Sequence, residues 1–296
     1  MNNKQAAMKT LRLLYPQWQG GYDESEFPGQ IYPLGARLLA WLAPESDAPL
    51  VEVPVEPWTG AEPAKEGGVF YRQEILRYIR AARNIIDNYA PERIITFGGD
   101  CLISQAPFAY LNERYKGELG IIWIDAHPDV TTPKDFDHAH AMVLGNLLGD
   151  GEPLMANEVK LHVKPEQVAL VGVDGMFLHE REAINRFGLK VIPSKDIIGG
   201  GNALTAWIRE KGFKRVAVHL DLDVLDPTIF RSLLFANPNV KEHIESEHGK
   251  TGMQDIGRLL KDIGSQVAVV GMSFAEYMPW DALSLRKMLN ELDFMK

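Results

Sequence analysis

Short apolar runs alternate with longer amphipathic segments along this chain. The runs predict eight strands, over residues 11–14, 50–55, 94–97, 121–125, 168–173, 189–192, 216–221 and 267–272. Most runs are continuously apolar, which is typical of strands that are covered by helices on both faces. Apolar residues at helical spacing predict helices over 71–89, 204–211, 254–263 and 280–292. Strands that alternate with helices indicate the α/β class with a parallel sheet.

Residues that can carry chemistry follow four of the predicted strands. Cys101 follows the third strand, Asp125 ends the fourth, Asp221 ends the seventh and Glu276 follows the eighth. Ligands of open α/β sheets collect at the carboxyl ends of the strands. We therefore expect these side chains to converge on one site.

The strongest single signal is the alternation of Asp125, His127 and Asp129 after a buried strand. A polar loop with a capping aspartate would explain one of these residues but not all three. Burying such groups without a partner costs several kcal/mol each, and a metal ion is a suitable partner. Carboxylates with a minority of imidazole suit Mn²⁺, while Zn²⁺ and Fe²⁺ remain open.

A second acidic pair, Asp221 and Asp223, ends another apolar run. Taken alone the pair is weak, because glycosyltransferases also hold a nucleotide sugar through an Asp-x-Asp motif. The chain shows no nucleotide-binding fingerprint to support that alternative. Combined with the first motif, the pair predicts one cluster of two metal ions, which would generate a hydroxide near neutral pH.

Composition narrows the remaining function classes. The 296 residues are 46% hydrophobic, carry a formal charge of -9 and include one cysteine. We expect no nucleic-acid partner, since no dense basic run is present, and no membrane span, since no apolar run approaches ~20 residues. The first residues lack the apolar region of a signal peptide, and a single cysteine suits a reducing compartment, so we expect a cytoplasmic protein. With no linker in view, we expect a single domain over 1–296.

Three motifs give the chain its resemblance to the arginase/agmatinase family, the ureohydrolases: GGDC at 98–101, DAHPD at 125–129 and DLDVLDP at 221–227. The resemblance implies a three-layer α/β/α fold around a parallel eight-stranded sheet. It also implies two Mn²⁺ per chain and hydrolysis of a C–N bond in a small guanidino or amidine substrate. One ion, or Zn²⁺, Fe²⁺ or Ni²⁺, stays open. Family members commonly form trimers or hexamers, so a homo-oligomer is implied.

The resemblance also implies a role for each metal-binding position. Asp125 and Asp221 match the residues that bridge the two ions, and Asp129 matches a ligand of the first ion that also contacts the hydroxide. His127 and Asp223 match the ligands that complete the second ion.

Two further positions match residues that act on the substrate. Glu276 matches a glutamate that pairs with the guanidinium, although a surface glutamate is the alternative. His140 matches a histidine proposed to shuttle protons, and a solvated helix start is its alternative. His219 precedes Asp221 by two residues, where either a partner of a metal ligand or, more simply, a packed strand histidine is expected.

The chain departs from the family at Cys101, where the family has a histidine that binds the first ion. A thiolate suits Zn²⁺ or Fe²⁺ and suits Mn²⁺ poorly. The first ion could be held weakly, be replaced by another metal or be lost. A non-catalytic homologue with a structural or regulatory role is therefore the alternative function.

A second departure affects the substrate. Phe177 stands where arginases offer an aspartate to the substrate's α-amino group, which leaves Glu180 and Asp174 as candidate substrate contacts. An apolar residue would leave an α-ammonium unpaired. Arginine, agmatine and formimino compounds all remain open as substrates.

Overall fold

The computed structural model describes residues 8–22, 29–238, 246–292 and 294. Its strands are β1 (Thr10–Tyr15), β2 (Leu50–Glu52), β3 (Lys65–Glu66), β4 (Val69–Phe70), β5 (Arg93–Gly98), β6 (Gly120–Ile124), β7 (Val168–Val171), β8 (Lys190–Ile192), β9 (Arg215–Asp221) and β10 (Ala268–Ala275). Its α-helices are α1 (Ile31–Leu42), α2 (Arg72–Tyr89), α3 (Gln105–Arg114), α4 (Val143–Leu148), α5 (Pro153–Ala156), α6 (Leu178–Phe187), α7 (Ala203–Lys211), α8 (Met253–Gln266) and α9 (Trp280–Asn290).

The main sheet has eight strands in the order β2-β1-β5-β10-β9-β6-β7-β8, and every neighbouring pair is parallel. Helices flank this sheet, so the predicted α/β fold with a parallel eight-stranded sheet is confirmed. All eight predicted strands belong to it. A short antiparallel pair, β3–β4, forms a separate two-stranded sheet.

Burial on both faces explains the continuously apolar runs. In β6, Ile121 and Trp123 join the hydrophobic core on one face of the sheet, while Ile122 and Ile124 join the core on the other face. Burial also explains why the sequence pattern does not predict α3. Eight of its ten residues are buried, so the helix has no polar stripe. Helices α2, α7, α8 and α9 confirm the four helical predictions.

The topology brings four functional strand ends together. Strands β5, β10, β9 and β6 are neighbours in the middle of the sheet, and their carboxyl ends lead to Cys101, Glu276, Asp221 and Asp125. No helix in the described part of the chain is long and apolar enough to cross a membrane.

Candidate metal centre

The site is built at the carboxyl edge of the sheet from segments that each turn sharply after a strand. A 3₁₀ turn, Cys101–Ser104, follows β5, and a second one, Leu222–Val224, follows β9. Gly99 lets the chain after β1 approach closely, because a Cβ at this position would collide with the backbone oxygen of Gln17. The turns place short polar side chains directly over the sheet edge.

Asp100 anchors the turn that carries Cys101. Its buried carboxylate accepts hydrogen bonds from Gln17 Nε2 (3.1 Å), Gly20 N (2.8 Å), Gly21 N (3.3 Å) and Leu102 N (3.0 Å). Burial raises the pKa of Asp100 to about 6, although these donors oppose the shift. Asp100 thus ties the loop after β1 to the floor of the site.

Four buried donors form what we call the inner group: Cys101, Asp125, His219 and Asp221. One donor atom from each lies within 4.8 Å of the others. Cys101 Sγ is 2.9 Å from Asp221 Oδ2, and His219 Nε2 is 3.7 Å from Asp125 Oδ2. The predicted convergence of Asp125 and Asp221 is therefore present in the structure.

Three donors, which we call the outer group, consist of Asp125, His127 and Asp223. His127 Nδ1 lies 3.0 Å from Asp223 Oδ2 and 3.5 Å from Asp125 Oδ1. The other ring nitrogen, Nε2, lies 2.9 Å from Glu247 O and 2.8 Å from Ser246 Oγ. A partner at Nε2 fixes the ring so that Nδ1 faces the carboxylates, as second partners of metal-binding histidines do.

Mutual repulsion shapes the protonation of the two groups. Burial, followed by the charges of Asp223 and Asp125, raises the pKa of Asp221 well above its ordinary value. Burial opposes ionisation of His127 as well, but the carboxylates of Asp223 and Asp125 raise its pKa. A bound divalent cation would relieve this repulsion, because it favours the ionised carboxylates.

Asp129 and Glu276 complete the charged surface of the site. Both have left-handed backbone angles, with φ of 51° and 61°, which non-glycine residues rarely adopt. Burial raises the pKa of each carboxyl, helped by the charges of Asp125 at Asp129 and of Asp100 at Glu276. Strain of this kind is concentrated at functional sites.

Asp129 differs from the other predicted ligands in its position. It lies outside both donor groups, and its Oδ2 is buried without a hydrogen-bond partner among the described residues. The oxygen is therefore available to an ion, a water molecule or a proton.

A cavity of about 500 Å³ opens above the donors. Both groups contribute to its floor, and its walls carry many rings. The ring-bearing lining residues are Tyr22, Tyr32, His127, Phe136, His138, His140, Phe177, His179 and Phe235. Such a pocket suits a small molecule with one polar reacting end.

His140, predicted to shuttle protons, lines this cavity. Its Nδ1 lies 2.7 Å from Gly20 O, so this nitrogen carries the proton and donates it to the carbonyl. Burial lowers the pKa of His140 to about 4. The ring is therefore neutral at pH 7 and keeps a lone pair at Nε2.

The two candidate substrate contacts, Glu180 and Asp174, differ in their position relative to the cavity. Glu180 lines the cavity, is 4% exposed and accepts a hydrogen bond from Phe177 N at 2.8 Å. Asp174 does not line the cavity, and its carboxylate is hydrogen-bonded to the backbone and hydroxyl of Ser194. Lys250 Nζ lies 3.6 Å from the same carboxylate. The structure thus places Glu180, and not Asp174, beside the cavity.

Sequence reasoning favoured a packed strand histidine at position 219 and did not single out Tyr32 or Ser246. The alternation of side chains along β9 was the available signal for His219, because it puts this residue on the same face as Asp221. Tyr32 and Ser246 lie in distant segments without a local motif, and both line the cavity.

Comparison with known proteins finds similarity to arginases and related ureohydrolases. A family model described as "Arginase family" matches residues 53–233. The N(1)-aminopropylagmatine ureohydrolase of Thermus thermophilus is 26% identical over 75% of this chain and 64% of its own length. An arginase of Bacillus caldovelox is 32% identical over 45% of this chain and 47% of its own length. The matched stretches span less than two thirds of these relatives.

Solved structures share the fold over nearly the whole chain. The arginase of Entamoeba histolytica superposes with a TM-score of 0.73, covering 92% of this chain and 91% of its own, at 19% identity. The likeness supports the fold assignment that the sheet topology gives.

Proposed function

The chain belongs to the arginase family, and on that premise we propose that it is a metal-dependent hydrolase that cleaves a C–N bond of a guanidino or related amidine compound. One observation carries the proposal: the inner and outer groups share Asp125, and both groups contribute side chains to the floor of a cavity that a small molecule can enter. A site without chemistry would not need to keep these repelling carboxylates buried.

The donors fit divalent cations. His219 Nε2 and Asp129 Oδ2 are buried and lack hydrogen-bond partners among the described residues, which is costly unless an ion or water satisfies them. When bound, the ions lower the pKa of a water molecule and polarise the substrate. Asp125 and Asp221 would be ligands of the ion in the inner group. Asp125, His127 and Asp223 would be ligands of the ion in the outer group.

Glu276 is proposed to bind the cationic end of the substrate. The residue is 7% exposed and lines the cavity, and its Oε1 lies 3.6 Å from Cys101 Sγ. A guanidinium offers paired N–H groups that match the two oxygens of a carboxylate. This pairing holds the planar carbon over the two donor groups.

Asp129 and His140 are proposed to handle protons. Attack of water forms a C–O bond, and the departing nitrogen needs a proton when the C–N bond breaks. Asp129 Oδ2 is free to accept the proton from the water and to return it to the leaving amine. Neutral His140 accepts at Nε2 and can exchange that proton with the cavity.

The lining favours an amine over an amino acid as the remote end of the substrate. None of the lining residues that the structure describes is lysine or arginine, so the carboxylate of arginine lacks a cationic partner. Glu180 offers a buried carboxylate to an ammonium group, with ring-bearing residues around it. The Thermus relative is named for an agmatine derivative, and we propose agmatine or a related amine as the substrate class.

Release of urea from agmatine and from arginine, measured after loading with Mn²⁺ or Zn²⁺, tests the proposal. We expect kcat/KM for agmatine to exceed that for arginine by about 10- to 100-fold, the factor for one unpaired charge. Asp223→Asn is expected to abolish release, while Asp226→Asn serves as the matched control because Asp226 does not line the cavity. Absence of hydrolysis with every guanidino or amidine compound and metal would contradict the proposal and favour a non-catalytic role.

A further inference from the structure

The inner group contains a histidine whose ring is held in place from two sides. His219 stacks on Trp123 with ring centroids 3.7 Å apart and an interplanar angle of 10°. Its Nδ1 lies 2.7 Å from Ser104 Oγ. A fully buried ring that is stacked and hydrogen-bonded in this way cannot turn to seek another partner.

The second ring nitrogen of His219 is left without a partner. Nε2 is buried and makes no hydrogen bond with a described residue, and the Asp125 carboxylate is 3.7 Å away. When Nδ1 donates to Ser104, Nε2 presents a lone pair to the inner group. An unsatisfied buried group of this kind is rare in proteins and calls for an explanation.

Cys101 supplies the neighbouring donor. The residue is 2% exposed, and its Sγ lies 2.9 Å from Asp221 Oδ2 and belongs to the same set of four donors within 4.8 Å. One turn, Cys101–Ser104, therefore provides both the thiol and the hydroxyl that orients His219. The thiol comes from the turn after β5 and the imidazole from β9, two strands that lie on either side of β10.

We propose that Cys101 and His219, with Asp125 and Asp221, form a four-donor site that selects a thiophilic divalent ion such as Zn²⁺. In this arrangement His219 provides the imidazole that the sequence lacks at position 101. The inference deepens the proposed function, on which it rests for the use of the site. Thiolate, imidazole and carboxylate are the donor types that Zn²⁺ takes in four-coordinate sites, whereas Mn²⁺ prefers oxygen.

X-ray absorption of the full chain loaded with one equivalent of Zn²⁺ tests the site directly. We expect a sulfur scatterer at about 2.3 Å and a nitrogen scatterer at about 2.0–2.1 Å. One equivalent of Co²⁺ is expected to give thiolate-to-cobalt charge-transfer absorption. A zinc shell without sulfur in the wild-type protein would overturn the proposal, whatever the variants do.

Two variants test the two proposed ligands, Cys101 and His219, one at a time. Cys101→Ser is expected to remove the sulfur scatterer and the charge-transfer band. His219→Phe keeps a ring on Trp123 but has no nitrogen. We expect this variant to weaken Zn²⁺ binding by at least about 100-fold, because the loss of a residue that only orients a ligand costs up to about 100-fold. His179→Phe is the matched control, because His179 lines the cavity but belongs to neither donor group.

Failure of this inference is distinguishable from failure of the proposed function. Wild-type Zn²⁺ affinity in a folded His219→Phe, checked by circular dichroism, would show that His219 is not a ligand even if urea is released. A sulfur and imidazole shell without urea release would support this site and contradict hydrolysis. Should His219→Phe not fold, the wild-type absorption spectrum decides.

Discussion

The inner and outer groups share Asp125 but differ in burial and in donor chemistry. Every inner residue is at most 2% exposed, whereas Asp223 is 7% exposed and the His127 side chain is 23% exposed. The inner group has a thiol and the outer group has only imidazole and carboxylate donors. We therefore expect the inner group to hold its ion more selectively and to release it more slowly.

The two groups are also oriented by different parts of the chain. Ser104, in the turn after β5, holds His219, whereas Ser246 and the backbone of Glu247 hold His127 from a segment after β9. One half of the centre thus depends on the sheet edge, and the other half depends on a loop. We infer that the metal preference of the inner group and the access of substrate past the outer group can change independently around the shared carboxylate of Asp125.

Removal of the shared ligand is expected to have the largest effect. Asp125→Asn takes a charge from both groups, and loss of metal-based charge stabilisation is worth several kcal/mol. We expect hydrolysis to fall by at least about 1,000-fold, measured as urea release at saturating metal. Asp226→Asn is the control, and a loss of less than about tenfold in Asp125→Asn would contradict a shared role.

His140 lines the cavity but belongs to neither donor group. Its titration therefore affects the stability of the fold without removing a metal ligand. Its pKa is lowered to about 4 from the ordinary 6.5. The contribution of neutral His140 to the free energy of unfolding is full above pH 6.5. About 3 kcal/mol of this free energy is lost as the pH falls toward 4. We expect this pH dependence to be smaller in His140→Gln, measured by urea unfolding with excess chelator. An unchanged dependence would contradict the burial of neutral His140.

Glu276 is predicted to serve the substrate rather than either ion. Glu276→Gln keeps the shape of the side chain but removes the charge that faces the guanidinium. We expect kcat/KM to fall by about 10- to 100-fold, the value of a charged hydrogen bond. Metal content measured by elemental analysis is expected to stay unchanged, and a loss of metal would instead make Glu276 a ligand.

The smallest effects are expected from the two orienting serines. Ser104→Ala should weaken only the inner ion and Ser246→Ala only the outer ion, each by about tenfold, the lower range for such partners. Competition with a chelator measures the two affinities. One equivalent of Zn²⁺ is used for the inner ion, and excess Mn²⁺ is then used for the outer ion. Equal weakening of both ions by either variant would contradict the division into two groups.

Local patterns predicted much of this molecule. The continuously apolar runs gave all eight strands of the main sheet because each strand is buried on both faces. The position of Asp125 and Asp221 at strand ends predicted their convergence, since parallel strands end at one edge. Cys101 stands out in the sequence because it departs from a motif that Gly98, Gly99 and Asp100 preserve, and its role as a metal ligand stays a prediction.

Long-range contacts set what the sequence could not predict. Only the packing of β9 beside β6 stacks His219 on Trp123, and only the turn after β5 brings Ser104 to its ring. Asp174 lies three residues after the end of β7, but its carboxylate is hydrogen-bonded to Ser194 and does not line the cavity. Helix α3 escaped prediction because burial on nearly every side removes its periodicity.

Anomalous diffraction from crystals of the protein loaded with Zn²⁺ and Mn²⁺, recorded at the absorption edges of both metals, would locate each ion. We expect two ions that share Asp125, with zinc bound to Cys101 Sγ and His219 Nε2 and a second ion bound to His127 and Asp223. An inner group without an ion, or ions that do not contact Asp125, would contradict this expectation.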